Sequence, residues 1–105
     1  MAKFENVQGI TEIKINHSVQ CYCPLGNDWY TNKILICMSG ISTVPDYCDV
    51  DKFIRSISGG KFIIEDVVSK IYSYIMDEYR PKKLSVSSHV DDAMHMPVSV
   101  MKSSE

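Results

Sequence analysis

A thiol and a carboxyl group that can do covalent and proton-transfer chemistry stand close together in Cys21-Tyr22-Cys23-Pro24-Leu25-Gly26-Asn27-Asp28-Trp29. A cysteine thiolate is a covalent nucleophile, and an acid a few residues away can carry protons to and from the adduct. Pro24 fixes one backbone dihedral, while Gly26 and Asn27 tolerate the positive φ of a tight loop. Such a loop points Cys23 and Asp28 into one pocket, with Trp29 and Tyr30 following as flat surfaces for stacking a base. The plainer reading of a cysteine is a small buried hydrophobe, and that of Trp29 and Tyr30 is core packing.

Other reactive clusters read more simply as structure. Cys21-x-Cys23 sets its thiols one residue apart, and Cys37 and Cys48 form no second pair at zinc-ligand spacing. His89, Asp91, Asp92 and His95 crowd one turn, a set able to hold a divalent metal, though a polar hairpin tip is the simpler account. His17 lies on the apolar face of a strand, where a histidine with satisfied hydrogen bonds is expected before a ligand. Arg80, Lys82 and Lys83 cluster at a helix end, favouring its dipole before any contact with a nucleic-acid backbone. The methionines read as core or edge filler.

With 105 residues the chain makes one domain, and folding buries only about 60–70% of the unfolded surface. A net charge of −2 argues against a generic nucleic-acid or membrane binder acting by electrostatics alone. No apolar run approaches the roughly 20 residues that span a bilayer. The first residues, Met1 to Asn6, lack the long apolar core of a signal peptide. A cytoplasmic protein with reduced thiols, and no membrane partner, is therefore expected.

Residues 12–21 alternate with period two: Ile13, Ile15, His17, Val19 and Cys21 share one face, and Lys14, Asn16, Ser18 and Gln20 the other. A loop over 22–28 leads to a second strand over 29–39 with a continuous apolar centre, giving an antiparallel hairpin. After a connection over 39–48, Val50, Phe53, Ile54 and Ile57 predict an amphipathic helix with Asp49 as N-cap and Gly59-Gly60 as its stop. A second helix is expected over 65–79, opened by acids and ended by Pro81. Leu84, Val86, Ser88 and Val90 alternate as a third strand, and 97–102 form a short edge strand before a frayed tail, Ser103-Ser104-Glu105. The order ββααββ predicts an α+β fold, a single four-stranded antiparallel sheet with both helices on one face. One open face and two open edges make self-association a physical expectation.

That order, with Cys23-Pro24 and Asp28 at the end of the first hairpin, resembles the QueF family of the tunnelling fold. The family comprises 7-cyano-7-deazaguanine reductases and shorter QueF-like amidinotransferases that make archaeosine. Gly60 through Glu65-Asp66 into a helix, then Pro81 before a strand, also sit where the family places them, so the resemblance spans residues 12–102. It implies that Cys23 attacks a nitrile carbon to give a thioimide, that Asp28 transfers protons, and that Glu65 or Asp66 holds the guanine-like edge of the base. A carboxylate suits that edge because it accepts two parallel hydrogen bonds. The resemblance also implies a homo-oligomer, a pentameric ring or two stacked rings, with ligands bound between subunits.

Two departures choose among the branches. The family spaces its cysteine and aspartate more widely than Cys23 and Asp28. Cys21 gives the wider spacing but lacks the following proline, so Cys23 is preferred and Cys21 stays open. Where the reductases carry a Lys-rich run, Glu-x-Lys-Ser-x-Lys, that binds NADPH, this chain reads Asp49-Val50-Asp51-Lys52-Phe53-Ile54-Arg55-Ser56. The expected activity is therefore the amidinotransferase one. Cys23 forms the thioimide, Asp28 moves protons, Trp29 with Glu65 or Asp66 binds the base in tRNA or DNA, and ammonia displaces the thiol without any organic cofactor. The alternatives are an NADPH-dependent reductase and a non-catalytic oligomeric binding module of the same fold.

Overall fold

Alternating strands and two amphipathic helices bring their apolar faces together in one core. The computed structural model describes residues 4–104. In chain order the elements are β1 (Phe4–Glu5), β2 (Glu12–Cys23), β3 (Asp28–Ser39), β4 (Thr43–Val44), α1 (Tyr47–Ile57), α2 (Ile64–Tyr79), β5 (Lys83–Val90) and β6 (Val98–Ser103). β2 pairs β3 without interruption from Glu12↔Ser39 to Cys23↔Asp28. β3 pairs β5 from Lys33↔His89 to Ser39↔Lys83, and β5 pairs β6 from Ser85↔Ser103 to Val90↔Val98. The result is an antiparallel sheet in the order β2-β3-β5-β6.

One face of that sheet presents Val19, Cys21, Tyr30, Ile34, Ile36, Met38, Leu84, Val86 and Val90, all buried. Both helices cover it, α1 against β2 and α2 against β5 and β6. They contribute Val50, Ile54 and Ile57 from α1 and Val67, Val68, Ile71, Ile75 and Tyr79 from α2. Burial of each such side chain is worth about 1.5–3 kcal/mol. Two polar side chains are buried in this layer and satisfy each other: Ser88 Oγ donates to Asn32 Oδ1 at 2.9 Å, and Asn32 Nδ2 donates to the Val19 carbonyl at 3.4 Å. The opposite face is uncovered and largely polar, with Lys14, Asn16, Ser18, Gln20, Thr31, Lys33, Ser85 and Ser87.

Several expected boundaries move. A second, two-stranded sheet pairs β1 with β4, Phe4↔Val44 and Glu5↔Thr43, beside the single sheet expected. The cap of α1 is Asp46, not Asp49: its Oδ1 accepts from the Cys48 and Asp49 amides at 3.0 and 3.2 Å, so the helix starts at Tyr47. Pro45 holds the preceding residue out of the helical region, which puts the first available carboxylate at Asp46. The first hairpin keeps pairing to its tip, so the loop shortens from 22–28 to 24–27. The tail is tied down rather than frayed, since the Ser104 amide donates to the Leu84 carbonyl at 2.9 Å and the Leu84 amide to Ser104 Oγ at 3.0 Å. Glu105 lies outside the described residues. Gly40, at φ 64°, turns the chain out of β3, and a Cβ there would come within 2.5 Å of Lys82 Cβ, so only glycine fits.

His17 ties the edge strand to α1. Its Nε2 meets Asp51 Oδ1 at 2.6 Å and its Nδ1 meets the Ser18 carbonyl at 2.9 Å, while Asp51 Oδ2 accepts Arg55 Nε at 2.8 Å. Both ring nitrogens thus meet oxygen partners. The hydrogen bond from His17, then that from Arg55, holds the Asp51 carboxyl below its usual range. A depressed carboxyl contributes stability above its unfolded value of about 3.9 and loses it as pH falls through the folded value. Asp51→Asn is therefore expected to lower the urea midpoint at pH 7, with the gap from wild type closing as the pH is taken below about 4. A gap that persists unchanged in acid would show that the carboxylate charge plays no part.

Candidate active site

The turn at the end of the long hairpin holds the thiol and the acid in register. Asn27 takes φ 51°, and its amide donates to the Cys23 carbonyl at 2.9 Å, closing residues 24–27 into a compact loop. Inside it the Gly26 amide donates to Cys23 Sγ at 3.4 Å. That contact holds the sulfur at the mouth of the loop. Cys23 and Asp28 are direct cross-strand partners, an arrangement that sets opposed Cβ atoms about 4.5–5.5 Å apart. Asp28 Oδ1 accepts from the Trp29 amide at 2.8 Å, which fixes the carboxyl orientation.

Both groups open onto a cavity of about 450 Å³, formed where the β2–β3 loop, the start of α2 and the β5–β6 loop meet. That size matches a pocket for a small molecule. Its apolar lining includes Leu25, Trp29, Ile63, Ile64, Met94 and Met96, and its ionisable lining is Cys23, Asp28, Tyr30, Glu65 and His95. Glu65 stands in the first turn of α2, whose N-cap, Ile63, offers no side-chain cap. Asp66, also in that turn, is not among the described residues lining the cavity. Trp29 is about half exposed and packs edge-on against Tyr22, with ring centroids 5.4 Å apart. The Tyr30 hydroxyl donates to the Phe62 carbonyl, and burial pushes it up to about 12, so it is a neutral, fixed wall.

The two cysteines are separated by burial. Cys21 is fully buried beneath α1, its Sγ 3.7 Å from the Ile57 carbonyl, and burial pushes the thiol up. Cys23 is half-buried and lines the cavity. The cluster 89–95 is dispersed among other tasks. Asp91 pairs with Lys33 at 2.9 Å, and His89 Nδ1 with Ser99 Oγ at 2.7 Å. Asp92 Oδ1 accepts the Thr31 amide at 2.9 Å, which holds its carboxyl below the usual range. Among the described residues no three His, Cys, Asp or Glu side chains stand together as a metal site, and no helix is long and apolar enough to cross a membrane. His95, read from sequence only as part of that turn, instead faces the cavity. The available signal was topological: in a β2-β3-β5-β6 antiparallel sheet, both hairpin loops lie at one end.

No protein-family model matches the sequence, and no curated protein does. Among solved structures, the crystal structure of the archaeosine synthase QueF-Like in the apo form matches with a TM-score of 0.84 at 12% identity. The match covers 91% of this chain and 95% of that one. The likeness establishes a shared fold over nearly the full length of both chains, an α+β arrangement with two helices against an antiparallel sheet.

Proposed function

We propose that this chain is a QueF-like amidinotransferase acting on the nitrile of 7-cyano-7-deazaguanine, with the base carried in tRNA or DNA. The observation that carries the reading is the convergence of Cys23, Asp28, Trp29 and Glu65 on one cavity. The fold it shares with an archaeosine synthase supports it. Cys23 sulfur adds to the nitrile carbon, and the nitrile nitrogen takes a proton by way of Asp28, giving a thioimide. Ammonia then adds to that carbon, and the C–S bond breaks with return of a proton to sulfur, leaving the amidine and the free thiol. Nothing is oxidised or reduced. Glu65 accepts the paired N–H groups of the guanine-like edge, and Trp29 offers an aromatic surface to the ring. Intact-protein mass spectrometry with the free base is expected to show an adduct that is lost in Cys23→Ala and kept in Cys21→Ala. The reverse pattern would move the nucleophile to Cys21. A wild type with no adduct would favour the non-catalytic module, a reading that the short loop between Cys23 and Asp28 keeps specific.

Reduction by NADPH has little local support. Asp49 and Asp51 stand in the first half of α1, where the reductases place lysines, and Asp51 is already engaged with His17 and Arg55. Negative charge there repels a 2′-phosphate. NADPH absorbance is expected to stay flat with excess nitrile base, and Cys23-dependent turnover would make the chain a reductase instead.

The same reading includes a homo-oligomeric ring, a pentamer or two stacked pentamers, because the sheet ends in β6 and in β2, whose Glu12–Ser18 half is left open by the linker between the helices. Light scattering at micromolar concentration is expected to give a mass several times 11.9 kDa. A persistent monomer would remove the ring.

A further inference from the structure

We propose that His95 is a second proton carrier of this site, serving the step in which ammonia displaces Cys23. The inference rests on the amidinotransferase reading and adds a residue to it. The β5–β6 loop is pinned beside the thiol and acid by two contacts to β3, Asp92 Oδ1 to the Thr31 amide at 2.9 Å and Lys33 Nζ to Asp91 Oδ2 at 2.9 Å. Thr31 is three residues from Asp28, so the loop beyond Asp92 runs alongside Asp28, and Ala93, Met94, His95 and Met96 all line the cavity. Within the loop, His95 Nδ1 lies 2.7 Å from the Met96 carbonyl. A carbonyl only accepts, so Nδ1 carries the hydrogen and the neutral ring keeps Nε2 as an acceptor.

The other ionisable groups facing the cavity already have parts assigned in loading or in the wall. They are Cys23 from β2, Asp28 and Tyr30 from β3, and Glu65 from α2. Cys23 is the nucleophile, and Asp28, fixed by the Trp29 amide, serves the nitrile nitrogen. Glu65 holds the ring edge, and the Tyr30 hydroxyl is spent on the Phe62 carbonyl. Ammonolysis passes a proton from the incoming nitrogen to the leaving sulfur, a transfer that a second group in the cavity lining can share with Asp28. As ammonia adds to the thioimide carbon its nitrogen becomes cationic and must lose a proton, and as the C–S bond breaks the sulfur must gain one. His95 Nε2 accepts the first proton and supplies the second, so the ring ends as it began. Imidazoles ordinarily change charge between about pH 5 and 8, which suits both halves of that exchange.

The test separates the two steps. Wild type and His95→Gln are each loaded with the free nitrile base, and the adduct mass is recorded. Ammonium is then added and discharge of the adduct is timed from pH 5 to 9. His95→Gln is expected to load like wild type but to discharge about 100-fold more slowly, and to lose the acid limb of the wild-type discharge profile. Equal discharge rates and the same pH profile in both proteins would overturn the role of His95 while leaving the Cys23 reading standing. Wild type that fails to load would overturn both. A variant that fails to load when wild type loads would make His95 a binding residue and overturn the proton role. Circular dichroism of the variant checks its fold, and the exposed position of His95 makes the native spectrum the expected result.

Discussion

The candidate site hangs on the unbroken register of β2 against β3. A strand has a side-chain period of two, so one slipped residue would turn the whole buried set of β2 and β3 outward. The register is pinned at its tip by the 24–27 loop, where Asn27 supplies the positive φ and donates to the Cys23 carbonyl. It is pinned again in the core by Asn32 and Ser88, whose hydrogen bonds join β3 to β2 and β5 in one alignment only. The pairing of Cys23 with Asp28 follows directly, so the geometry of the site is inherited from the stability of the sheet.

The helices complete the site through where α2 begins. The segment between the helices runs along β2, with the Tyr22 amide donating to the Gly60 carbonyl at 2.9 Å and the Gly59 amide to the Gln20 carbonyl at 2.8 Å. That pairing delivers Ile63, Ile64 and Glu65 to the mouth of the hairpin. The Tyr30 hydroxyl on the Phe62 carbonyl fastens the same segment from below. Glu65 thus stands in the first turn of α2, where the helix dipole favours an acidic side chain.

Much of this was legible from sequence because it rests on periodicity. The alternation of Ile13 through Cys21, the 3–4 spacing of Val50, Phe53, Ile54 and Ile57, and the stop at Pro81 each encode local geometry that burial then reinforces. What was missed lacks a period. β1 and β4 are only two residues long and pair across a wide gap in sequence. The cap of α1 required choosing between Asp46 and Asp49, and the deciding factor was which carboxylate could reach two amides. Of the residues lining the candidate cavity, Cys23, Asp28 and Trp29 are neighbours in the chain and could be seen together. His95 reaches the cavity only through the strand order, which no local pattern states, and Cys21 is set apart from Cys23 only by the helix lying over it.

The linker that positions Glu65 also has a consequence for the rim of the sheet. Because residues 59–61 already occupy the outer side of β2 around Gln20 and Tyr22, an incoming strand can lie only along Glu12–Ser18, the half remote from the hairpin tip. At about 3.4 Å per residue that berth is roughly 24 Å long, close to the roughly 20 Å of β6, which spans Val98–Ser103. A chain laid along β2 therefore pairs with the half of the strand remote from the hairpin tip.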